Sequence, residues 1–117
     1  MQLTSEIVLK ALLPALRTSI AKQLDEKNFS QIEIASLLGI TQAAVSKYLS
    51  GNYSVAIKVL EETERIKKIS AHIVGKIIKT RKKQDVGQIC KICRNYSGIC
   101  LYRHFAFELA EALRGEG

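Results

Sequence analysis

SQIEIASLLGITQAAVSKYLSG, residues 30–51, holds two short amphipathic segments on either side of a glycine. Ser30 followed by Glu33 fits a capping box. The serine oxygen can accept from the Glu33 amide, and the glutamate can reach back to the serine amide. A helix over 31–38 follows. Gly39 ends it, because glycine tolerates the left-handed conformation found at helix C-termini. Thr41 can cap a second helix over 42–50, which Gly51 closes. Two short helices joined by a glycine-containing turn form a helix-turn-helix. Ala35 is small where the helices cross. Ile34 and Leu38 face Ile40, Val45 and Leu49 across the interior.

The same spacing leaves Gln42, Ala43, Ser46, Lys47 and Ser50 on the outer face of the second helix. These side chains are short or hydrogen-bonding, as entry into a DNA groove requires. Gln42 can read the N6/N7 edge of adenine, Lys47 can reach guanine or a phosphate, and Ala43 can touch a thymine methyl. Thr41 and the helix N-terminus can hold a phosphate oxygen. The competing reading is a helical hairpin used only for packing.

Upstream, Leu9, Leu12, Leu13, Leu16, Ile20 and Leu24 fall on one helical stripe across residues 5–27. Pro14 interrupts it, and its missing donor predicts a kink or a fresh helix with Pro14 in the first turn. Asn28 is the expected stop. Downstream, Ser54 can cap a helical stretch over 55–83, where the apolar stripe slips. Ile57 and Leu60 form one set; Ile66, Ile69, Ile73 and Ile77 form another, with Val74 and Ile78 beside it. EETER (61–65) separates the sets, so one helix or two remain open, and the pairs Glu61–Arg65 and Glu64–Lys68 favour continuity. A last helix is expected over 101–114, with Phe105, Leu109 and Leu113 on one face. Strand alternation is nearly absent, so the expected class is all-α.

The 117 residues are 47% hydrophobic and 25% charged, which suits one core with an appendage. No apolar run approaches the ~20 residues of a membrane span. The start, MQLTSEIVLKALLPALRTS, reads as a folded helix rather than a signal peptide, so the expected compartment is the cytoplasm, with no membrane partner. The net charge is +7, unevenly placed. Residues 1–56 carry five basic and four acidic groups, residues 57–84 nine and three, and residues 85–117 four of each. A polyanion is the natural partner of the middle segment, against the plainer reading of a solvated lysine-rich face. Lys79, Arg81, Lys82 and Lys83 are its candidate phosphate contacts.

Residues 15–60, and 30–51 above all, resemble the Cro/lambda-repressor-like (XRE-type) helix-turn-helix domain. The phrase ITQAAVSKYLSG is similar to small predicted archaeal regulators of that type. The resemblance implies a lambda-repressor-like head of four or five helices, with 42–50 as the recognition helix. It also implies a homodimer acting on a double-stranded DNA operator. The expected division is a DNA-binding domain over 1–60, a basic helical connector and candidate dimer seam over 61–84, and a cysteine-cluster module with a helix over 85–117. The isoleucine stripe 66–78, where Gly75 would allow close approach, suits a dimer seam or packing on the chain's own N-terminal helix.

All three cysteines lie in CKICRNYSGICLYRH, residues 90–104. The spacing Cys90-x2-Cys93-x6-Cys100-x3-His104 lets four soft ligands converge. A closed Cys3His zinc site fits the ligand count. An iron–sulfur cluster on three thiolates, with His104 or an outside group, fits a sensor. Free cysteines buried among Ile89, Ile92 and Ile99 are the third reading. The archaeal regulators also carry a C-terminal cysteine cluster. No catalytic residue is assigned, because there is no Ser/His/Asp constellation and no phosphate-cradling glycine loop. The expectation is a homodimeric, sequence-specific transcriptional regulator with a metal- or redox-responsive cluster. The alternatives are a regulator or nucleic-acid adaptor with structural zinc or a metal-free cysteine core, or a small thiol or metal enzyme.

Overall fold

The computed structural model describes residues 4–80, with side chains from residue 10 onward. Five helices follow one another: α1 (Thr4–Glu26), α2 (Gln31–Leu38), α3 (Gln42–Ser50), α4 (Val55–Glu61) and α5 (Glu64–Thr80). The described residues contain no strand, and the class is all-α, as the periodicity predicts.

α1 is the element on which α2, α3, α4 and α5 all pack. Leu12, Leu16, Ile20 and Leu24 are fully buried along it, and Ala11, Ala15, Ala21, Thr18 and Ser19 close its other sides. Of the two alternatives at Pro14, the fresh helix does not occur, because one helix runs through it. An interior proline costs about 3 kcal/mol. Burial of the leucines on either side, at about 1.5–3 kcal/mol each, outweighs that cost. The Thr18 hydroxyl donates to the Pro14 carbonyl at 2.7 Å one turn later.

The helix ends are set by local chemistry. Asn28 takes a left-handed φ of 69°. The Phe29 amide then donates to the Leu24 carbonyl at 3.1 Å and the Asn28 amide to Asp25 at 3.0 Å. That is a Schellman stop, with Phe29 and Leu24 both in the core. Ser30 and Glu33 form both halves of the capping box, at 3.1 and 3.0 Å.

α4 and α5 are separate helices. Thr63 breaks them: its hydroxyl donates to the Leu60 carbonyl at 2.7 Å and accepts from the Ile66 amide at 3.4 Å, capping α5. The expected Glu61–Arg65 pair gives way, because Glu61 turns inward to Lys22. The isoleucine stripe packs on α1, with Ile66, Ile73 and Ile77 fully buried and Ile69 and Val74 nearly so. Gly75 lies on the opposite, exposed face, with open space where a Cβ would stand.

Candidate nucleic-acid interface

The turn between α2 and α3 is fixed from both sides. Gly39 adopts φ 68°, ψ 35°, which lets the Ile40 amide reach the Ala35 carbonyl at 3.0 Å and the Gly39 amide reach Ser36 at 3.3 Å. Ile34, Ala35, Leu38 and Val45 are buried, while Ile40 and Leu49 are partly buried against the same core. Thr41 caps α3, its hydroxyl accepting from the Ala44 amide at 3.1 Å. Gly51 closes α3 at φ 78°, with Asn52 bonded back to Lys47 at 3.2 Å. The second helix is therefore held at both ends and along its inner face.

Thr41, Gln42, Ala43, Ser46, Lys47 and Ser50 are all exposed. Two details refine what they can do. The Thr41 oxygen is already an acceptor in the cap, so only its hydroxyl proton remains to meet a phosphate. The amides of Gln42 and Ala43, in the first turn, have no intrahelical acceptor and add to that anion-binding end. Ser50 donates its proton to the Lys47 carbonyl at 3.0 Å, so it offers a base edge an acceptor. Lys79 is exposed in the last turn of α5. Arg81, Lys82, Lys83, Cys90, Cys93, Cys100 and His104 lie outside the described residues, as does the expected helix over 101–114. Within the described residues, no group of three or more His, Cys, Asp or Glu side chains could hold a metal ion.

One polar cluster escaped the sequence reading. Lys22 of α1 donates to the Tyr53 hydroxyl and to the Glu61 carboxylate, each at 2.8 Å, and Tyr53 donates to the same carboxylate oxygen at 2.9 Å. The Tyr53 ring also lies 5.5 Å from the Lys22 ammonium and 5.7 Å from that of Lys58. The cluster ties the loop after α3 to α1 and α4. Burial opposes the charge on Lys22, but its bonds to Glu61 and Tyr53 and the field of the carboxylate hold its pKa above the ordinary value of 10.5. Burial pushes the Tyr53 phenol up, with the Lys22 bond opposing and Glu61 reinforcing. The only local signal was Glu61 in EETER, and short-range pairing assigned it to the wrong partner.

Residues 20–71 match the helix-turn-helix family model, from the middle of α1 into α5. The match supports an XRE-like, DNA-binding regulatory domain over those residues, and such a domain is not an enzyme class. No curated protein and no solved structure gives a significant match to the chain. Among the described residues, no helix is long and apolar enough to cross a membrane.

Proposed function

We propose that the chain is a sequence-specific transcriptional regulator that reads an operator with α3, acts as a homodimer, and carries a metal- or redox-responsive cluster at Cys90, Cys93, Cys100 and His104. The observation that carries the reading is the outer face of α3. It is exposed, short and polar, and it is anchored by caps at both ends and by the Lys22–Tyr53–Glu61 cluster beyond. A rigid helix with hydrogen-bonding side chains and an amide-rich N-terminus suits base reading beside a phosphate anchor.

A single head touches few base pairs, so two-fold pairing, with half-sites about 34 Å apart, supplies the remaining discrimination. For the cysteine cluster the support is sequence spacing alone. Three thiolates and an imidazole suit an iron–sulfur cluster or zinc, and such a centre would give the regulator an input. Lys79, Arg81, Lys82 and Lys83 are proposed to meet phosphates. Selection from randomised duplexes tests the reading. It should enrich a motif with two related half-sites, whereas enrichment flat across sequences would contradict it.

A further inference from the structure

The charge on the helices follows a pattern that the reading face leaves unexplained. Residues 4–63 carry six basic and six acidic side chains, and the α2–α3 pair contributes Glu33 and Lys47, one of each sign. α5 carries Arg65, Lys67, Lys68, Lys76 and Lys79 against Glu64 alone. The surplus over residues 4–80 therefore sits on one helix. Affinity for duplex DNA comes largely from neutralising phosphates, and a reading helix with one lysine neutralises few.

α5 turns its isoleucines to α1 and leaves Lys67, Lys68, His72, Lys76 and Lys79 exposed. Lys68, His72 and Lys76 recur every fourth residue, and Lys79 follows three later, so they stack on one side of the helix. From Lys67 to Lys79 the helix advances about 18 Å, a length that faces about five phosphates of one strand. Within the described residues, no hydrogen bond or salt bridge holds the side chains of Lys67, Lys68 or Lys79. A second copy of the same face would set lysines against lysines, which makes it unsuited to self-association. α5 packs chiefly on α1 rather than on the α2–α3 pair, so its outer face is a separate surface from that of α3.

We propose that the exposed face of α5 is a second DNA-binding surface, one that grips duplex phosphates without reading bases and supplies most of the salt-dependent affinity of residues 4–80. The proposal rests on the DNA-binding reading of α3 and extends it to a division of labour. α3 selects the sequence and α5 holds the backbone.

The test uses the full chain with Lys67→Gln, Lys68→Gln and Lys79→Gln combined, beside a variant with arginine at the same positions. Dissociation constants are measured over a salt series on the selected operator and on a fixed random-sequence duplex. Each lysine that meets a phosphate contributes about 0.9 to the log–log slope, so the glutamine variant should lose up to ~2.7 on both duplexes. Its operator-to-random ratio should stay that of the wild type, and the arginine variant should keep the wild-type slope. An unchanged slope in the glutamine variant overturns the proposal and leaves reading by α3 intact. That is also the result expected if α5 serves RNA or an acidic protein. A wild-type chain with no operator preference overturns the reading by α3 alone, and the slope on the random duplex still decides the role of α5.

Discussion

Lys22→Met should destabilise the fold more than Glu61→Gln, although both break the same ion pair. The asymmetry follows from where each charge sits. The Glu61 side chain is 7% exposed, whereas that of Lys22 is 38% exposed. Removing the ammonium strands a carboxylate away from water with Tyr53 as its remaining donor. With Lys22 partly in solvent and Tyr53 still donating, the cost is below that of a fully buried pair, about 2–3 kcal/mol. Removing the carboxylate's charge leaves an ammonium that reaches solvent and still bonds Tyr53, so the loss is about 1–2 kcal/mol. Urea unfolding followed by circular dichroism at pH 7 measures both, and a shared m-value shows that compactness is unchanged. The linked pH dependence has a definite sign. Lys22 and Tyr53 both hold their protons more tightly in the folded chain. The Lys22 contribution is complete below its ordinary pKa of 10.5 and is lost as pH rises through the higher folded value. The Lys22 part of wild-type stability should therefore fall above that point, and Lys22→Met should lack that part. If Glu61→Gln costs as much as Lys22→Met, the burial argument is wrong.

Two glycines should respond oppositely to alanine. Gly75→Ala, on an exposed helical face with open space for the methyl, should stabilise by about 0.5–1 kcal/mol. Gly51→Ala, at φ 78°, should destabilise by about 1–2 kcal/mol through backbone strain alone, since nothing lies near its Cβ position. Thermal unfolding checks both. Ser30→Ala removes the acceptor of the capping box and should cost about 1 kcal/mol by urea titration, with DNA selectivity unchanged. Serine in place of Cys90, Cys93 or Cys100 should abolish the proposed metal centre in anaerobically purified protein, followed by its visible spectrum and metal content. Serine variants indistinguishable from a metal-free wild type would leave only a cysteine core.

What was legible in the sequence was local. Ser30 and Glu33, Gly39, Thr41, Gly51 and Ser54 each act within four residues, so their caps and stops could be read directly, and the helix bounds 31–38 and 42–50 match the structure. Asn28 as a stop belongs to the same class, because asparagine tolerates the left-handed conformation it adopts. The misses were tertiary. Pro14 is a helix breaker by propensity, yet leucines on both of its flanks find a shared core and carry the helix through it. Glu61 has a plausible partner four residues on, but its actual partner is 39 residues away in the chain. Local spacing cannot show that distance. The isoleucine stripe left two partners open, a dimer seam or the chain's own N-terminal helix, and α1 covers it. For the candidate site, the outward face of α3 followed from periodicity, while the hydrogen bond that commits the Ser50 proton did not.

The central claim is that α3 reads bases. The measurement that tests it most directly is a competition titration of wild type, Gln42→Ala and Lys47→Ala between the selected operator and a scrambled duplex of equal length at one salt concentration. Each lost base contact is worth about 1–3 kcal/mol, which is a roughly 5- to 150-fold loss of preference for the operator. Both side chains are exposed, so unfolding midpoints should stay at the wild-type value. Variants that keep the full wild-type preference while folding normally would contradict the account.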